Sequence, residues 1–159
     1  MRKIKEYNRI TWLFHLGFLF LLCLSLLAGC GGSKSDKLDL PGKAVRFKTG
    51  SYQNPDKPGD KYEAISYKDR VYIPYGSANN DEMDDRVIDR CIGYISSGSG
   101  EDKDRRVYTL VEDRKMNYIM IYDVNEDLDQ AAFYRCTDTR GRKIETPGYI
   151  DAVHYDYWE

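Results

Sequence analysis

The chain has 159 residues, 24 of them basic and 26 acidic, for a net charge of −2, with 42% hydrophobic and 13% aromatic residues. That length allows one domain with its own core and hardly two. An acidic balance without a basic stripe excludes a conventional nucleic-acid binder.

Residues 1–9 carry Arg2, Lys3, Lys5 and Arg9 against the single acid Glu6. An apolar run from Ile10 to Leu27 follows, broken only by Thr11, His15 and Ser25. A basic flank before an apolar core is the layout of an export signal. The run closes on Leu27-Ala28-Gly29-Cys30, which resembles the lipobox of bacterial lipoproteins. The resemblance implies a diacylglyceryl group on the Cys30 sulfur and cleavage just before it. It also implies residence on the outer face of the cell membrane, or at the outer membrane of a host that has two. Two acyl chains anchor stably where one holds only marginally. The alternative is an uncleaved transmembrane anchor, because the run approaches the roughly 20 residues needed to span a bilayer. Both alternatives leave the rest of the chain on the same side. Cys23, between Leu22 and Leu24, makes a poorer cleavage site.

The expected organisation is therefore a signal peptide at 1–29, a lipidated Cys30 with a flexible tether at 30–43, and one β-rich domain at 44–159. Gly31 to Asp36 has the polar, Gly/Ser composition of a leash. The first 29 residues hold four basic residues and one acid, so removing them leaves 130 residues with 20 basic and 25 acidic, a net charge of −5. Such a body is repelled by anionic headgroups and favours cationic partners, although an acidic balance also serves plain solubility.

Thirteen of the fourteen tyrosines lie beyond the signal, a heavy load of strand-favouring residues. Residues 44–49 suit a first strand, and 50–60, with Pro55 and Pro58, a loop. The clearest local pattern is 62–67 and 70–75, two alternating runs around Lys68-Asp69, which predicts a β-hairpin. Neither turn residue readily takes positive φ. Pro74 has no N–H to give, which predicts an edge position. Residues 79–95 admit two readings. Met83, Val87, Ile88, Cys91, Ile92 and Ile95 follow helical spacing, yet Gly93 and the β-branched content favour an acidic turn and then a strand at 87–95. A polar loop at 96–104, expected to be mobile, precedes a second hairpin, 106–111 and 117–124. Tyr118 to Tyr122 is apolar on both faces, as in a central strand. A strand at 131–137, a turn at 139–142 and an aromatic tail at 147–159 complete a mainly antiparallel β fold, or a β-rich α+β one.

Cys91 and Cys136 remain as a pair in an oxidising compartment. A bridge between them would close a loop of about 46 residues and contribute about 4 kcal/mol; buried free thiols are the alternative. His154 is the one histidine beyond the signal, which excludes two-histidine metal sites within the chain. No G-x-S-x-G elbow accompanies it, and Gly98-Ser99-Gly100 has no strand-to-helix context. A Cys–His nucleophile pair would need Cys91 or Cys136, neither of which lies in a nucleophile motif. Asp123 to Asp129 begins like a calcium loop, but Leu128 stands where glycine is needed and Tyr134 where the closing glutamate belongs. The Asp81-Glu82-Met83-Asp84-Asp85 cluster has no fixed ligand spacing. No phosphate-binding loop or other cofactor motif follows a predicted strand.

The sequence thus predicts a lipid-anchored, non-catalytic binding module facing an envelope or extracellular partner, without a cofactor, catalytic residue or metal. It looks like the small tyrosine-rich lipoproteins of Gram-positive bacteria. Two rivals are a self-protection lipoprotein that captures cationic peptides and an envelope hydrolase working through paired carboxylates.

Overall fold

The computed structural model describes residues 37–96 and 103–159. The lipobox residues Leu27, Ala28, Gly29 and Cys30 lie outside the described residues, as do Gly98-Ser99-Gly100 and most of the predicted 96–104 loop. The described chain is mainly β and forms one mixed, mostly antiparallel sheet. In chain order the strands are β1 (Val45–Phe47), β2 (Thr49–Gln53), β3 (Lys61–Tyr67), β4 (Arg70–Ala78), β5 (Ile88–Ile95), β6 (Arg105–Leu110), β7 (Tyr118–Asp123), β8 (Ala132–Cys136) and β9 (Ile150–Ala152). The spatial order is β1-β5-β6-β7-β8-β4-β3-β2, with β9 added beside the second half of β4.

One stretch of chain joins both ends of that order. β1 and β2 are separated only by Lys48; β1 pairs in parallel with β5, and β2 pairs antiparallel with β3. Residues 45–53 therefore bind the two edges of the sheet together and curl it. The predicted strand at 44–49 is β1 and the start of β2. The predicted loop at 50–60 is corrected in its first part, since β2 runs to Gln53. β2 pairs only with β3 and is exposed at four of its five residues, so no apolar alternation marks it in the sequence. Gly93 permits the parallel approach of β1: a Cβ there would stand 2.0 Å from the Val45 carbonyl oxygen.

The strand periodicity sorts the core into two faces. From β7, Ile119 and Ile121 join Phe47, Ile65, Tyr72, Val107, Tyr134 and Cys136 inside the curl. Tyr118 and Met120 point the other way, to Ile88, Cys91, Tyr108 and Phe133. Irregular segments cover this second face with Leu38, Leu40, Met83, Leu128, Ile144, Tyr149 and Trp158. β7 is buried on both faces from Tyr118 to Ile121, as the apolar run predicted.

The first hairpin closes through Lys68-Asp69 with Tyr67 opposite Arg70, and Lys68 takes φ 54°, the left-handed conformation it was expected to resist. Residues 79–95 resolve as turn and strand: a 3₁₀ turn at Asp85–Val87 leads into β5. Pro74 corrects the edge expectation. It lies in an interior strand opposite Tyr134, at a register shift. There the other neighbour of β4 changes from β3, whose pairing stops at Tyr72 of β4, to β9, whose pairing starts at Gly76 of β4. No N–H is needed at that handover. The tether boundary also moves. Lys37 already accepts from Cys91 N at 3.0 Å, and Leu38 accepts from Arg106 Nη1 at 2.6 Å and from Tyr108 Oη at 3.2 Å. Packed structure therefore begins by residue 37 rather than 44.

The Cys91–Cys136 bridge is corrected as well. Both residues are buried free thiols. Cys91 lies on β5 facing the outer core, and Cys136 on β8 facing the interior of the curl. β6 and β7 stand between them, three interstrand steps or about 14 Å along the sheet, whereas a bridge requires Cα atoms within about 7 Å. Burial pushes both thiols up from their ordinary pKa.

Candidate groove between the 111–118 and 144–149 segments

Two loops form the walls of a groove, and the start of β7 forms its floor. The first wall joins β6 to β7. Val111 N donates to the Val87 carbonyl at 2.8 Å, and Met116 N to the Asp113 carbonyl at 2.9 Å. Asp113 Oδ2 accepts from Tyr118 N at 2.7 Å, which makes the carboxylate a brace for the strand start. From below, Arg70 Nη1 and Tyr72 Oη both reach the Met116 carbonyl, at 2.8 and 2.9 Å. So braced, the loop holds Glu112 at φ 69° and Met116 at φ 49°, conformations uncommon for residues with bulky side chains.

The second wall is the chain running into β9. Ile150 N donates to the Pro147 carbonyl at 3.0 Å, forming a turn. Asn79 pins that turn through its Nδ2 to the Gly148 carbonyl at 3.1 Å and its N–H to the Tyr149 carbonyl at 3.0 Å. Gly148 faces Glu82, whose Oε2 would meet an added Cβ at 2.1 Å. The Tyr149 ring rests 5.8 Å from that of Phe133.

The groove encloses about 440 Å³, and its lining includes Glu112, Asp113, Tyr118, Glu145, Thr146 and Tyr149 but no lysine, arginine or histidine. Glu112 and Glu145 are exposed and Asp113 half-buried. None of the three forms an ion pair among the described residues. On the floor, Tyr75 Oη and Thr146 Oγ1 share a hydrogen bond of 2.6 Å. Beside them the hydroxyl of Tyr118, a residue 2% exposed, makes no hydrogen bond of ordinary geometry and interacts only weakly with the Thr146 and Tyr75 hydroxyls. Burial pushes the Tyr118 hydroxyl up in pKa. Tyr149 is pushed up to about 12, first by burial and then by the Asp113 and Glu112 carboxylates. Two smaller grooves adjoin across the same loop. One places Arg90 and Arg114 with Asp89, Glu112 and Asp113, and the other places Arg86 with Glu82, Asp84 and Glu112.

The residues singled out by sequence fall elsewhere. His154 is exposed, its side chain 90% accessible, with Nδ1 3.5 Å from Glu159 Oε1. Cys91 and Cys136 are buried, so neither forms a nucleophile pair with it. In the 123–129 turn, Asp123 Oδ1 accepts from Asn125 N at 3.0 Å, and Asn125 Nδ2 donates to Asp104 at 2.9 Å. In the 81–85 cluster, Asp84 caps the 3₁₀ turn by accepting from Arg86 N at 2.7 Å. Among the described residues no three His, Cys, Asp or Glu side chains group closely enough to hold a metal ion. Glu112, Asp113, Tyr118 and Glu145 were not singled out, because Tyr118 reads as a core residue and the acids as ordinary loop charges. Comparison with protein-family models, with curated protein sequences and with solved structures gives no match.

Proposed function

We propose that the chain is an exported lipoprotein, held through Cys30 at the outer face of the membrane, whose folded domain is a non-catalytic binding module. The lipobox-like Leu27-Ala28-Gly29-Cys30 supports the address. A groove with three carboxylates and no basic side chain supports the binding role, and this observation carries the functional reading. Concave sites with a few convergent polar groups are where small ligands and side chains bind. The accessible histidine and the buried cysteines are poorly disposed for nucleophilic catalysis.

One feature favours the hydrolase as a second reading: Glu145 on one wall is opposed to Glu112 and Asp113 on the other. Carboxylates on both sides of a cleft are what glycoside hydrolysis requires. Against it, Asp113 is committed to the Tyr118 backbone N–H. Release of reducing sugar from cell-wall glycan, abolished by Glu145→Gln, would support the hydrolase and displace the binding module.

The address is tested with the full chain and its Cys30→Ser variant, fractionated from cells and treated with external protease. The parent should be retained by the membrane and digested from outside. The variant should be shed or accumulate unprocessed. A variant processed and retained like the parent contradicts the lipid anchor.

A further inference from the structure

We infer that the groove between the 111–118 and 144–149 segments takes the guanidinium or ammonium side chains of a cationic peptide. This rests on the binding-module reading and names the class of ligand. Charge is the first ground. Glu112, Asp113 and Glu145 line one groove that contains no basic residue; Arg90 and Arg114 share the adjoining groove with Glu112 and Asp113 but form no ion pair with either. Glu112 and Glu145, exposed on opposite walls and without an ion-pair partner, create there a negative potential that a cation relieves.

The second ground is independent of charge. The Tyr118 hydroxyl is buried on the groove floor without a hydrogen bond of ordinary geometry, because its neighbours Tyr75 and Thr146, with which it interacts only weakly, are bonded to each other. A buried hydroxyl normally finds a partner, and one left over needs a reason. An N–H donor entering the groove would supply it, with the Tyr118 oxygen as acceptor.

Shape selects an organic cation over a metal ion. The carboxylates stand on two walls and do not converge as a metal-ligand group. A guanidinium presents five N–H donors in a planar fork and can meet separated acceptors at once. Tyr149, Ile144 and Pro147 offer apolar surface to the methylene stem, and the Tyr149 ring adds a π face for the cation. A cavity of about 440 Å³ accommodates one or two such side chains rather than a folded partner.

The test uses the full-length protein in non-ionic detergent micelles, titrated calorimetrically with a penta-arginine peptide at low and moderate salt, with a penta-serine peptide as control. Penta-arginine should bind, more weakly as salt rises, and penta-serine should not. Glu112→Gln combined with Glu145→Gln should weaken binding by about tenfold, and Tyr118→Phe by several-fold. Glu126→Gln combined with Asp129→Asn removes the same charge at the distant 123–129 turn and should leave affinity unchanged. No binding at low salt overturns the inference. So does an equal loss from the distant pair, which would mean diffuse charge attraction. Because this titration does not depend on where the protein resides, its failure leaves the Cys30 address to be judged by fractionation alone.

Discussion

The Arg135 guanidinium lies 4.9 Å from the centroid of the Trp158 ring, so the penultimate residue of the chain covers a cation on a central strand. Arg135 is 8% exposed, and no carboxylate pairs with it among the described residues. Its charge is met instead by π faces, Tyr75 at 5.1 Å and Tyr118 at 5.9 Å, and by Thr139, whose Oγ1 accepts from Nε at 2.8 Å and whose carbonyl accepts from Nη2 at 3.2 Å. Trp158 is fixed in turn by donating Nε1–H to the Pro74 carbonyl at 2.9 Å. Lysine can neither stack as a plane nor reach both Thr139 oxygens. Arg135→Lys and Trp158→Ala should therefore each cost about 2 kcal/mol. Urea unfolding of each variant, showing a lower midpoint at unchanged slope, checks this.

Gly93 should tolerate no side chain. An added Cβ would stand 2.0 Å from the Val45 carbonyl oxygen and 2.7 Å from the Phe47 ring, so β1 must move away from β5. Gly93→Ala is expected to cost about 3 kcal/mol. Gly42→Ala, where nothing lies within 4 Å, should change stability by less than about 0.5 kcal/mol. Thermal unfolding of the two variants side by side gives the comparison.

Removing two buried hydroxyls should have different consequences. Tyr72 Oη donates to the Met116 carbonyl at 2.9 Å, and Tyr72→Phe should lose about 1 kcal/mol. Tyr118 Oη makes no hydrogen bond of ordinary geometry, only weak interactions with Thr146 and Tyr75. Tyr118→Phe should leave stability unchanged or slightly raised, as measured by chemical denaturation. This keeps it usable as a binding variant.

Stability should fall at alkaline pH. Burial pushes Tyr72 and Tyr149 up to about 12, against 10.0 for an ordinary tyrosine, and it also raises Tyr108, Tyr134 and Tyr157. Below pH 10 these tyrosines hold their protons in both states, and their contribution is fully present. Between pH 10 and 12 the unfolded chain ionises while the folded one does not, so stability is lost as pH rises through that window. Tyrosinate absorbance and near-UV circular dichroism followed together check this. Ionisation of these tyrosines at about pH 10 with the fold intact would contradict it.

Much of the fold was legible because strand signals are local. The alternation at 62–75 and the apolar run at 118–122 needed no tertiary information, and β3, β4 and β7 stand where those patterns put them. Pairing across the sheet was not local. Nothing in the spacing of Cys91 and Cys136 reveals that two strands separate them and that they face opposite sides. Pro74 misled for the same reason, since a missing N–H is harmless wherever a strand changes neighbours. The groove was the least legible element. Glu112 and Glu145 are 33 positions apart in the chain, and only the docking of the β9 approach against the β6–β7 loop puts them in one cleft.

Intact-mass spectrometry of protein extracted from membranes tests the proposed address most directly. A lipid-anchored protein should give a chain beginning at Cys30 and carrying the added mass of a diacylglyceryl group on that residue. A chain beginning at Met1 with an unmodified Cys30 would contradict it.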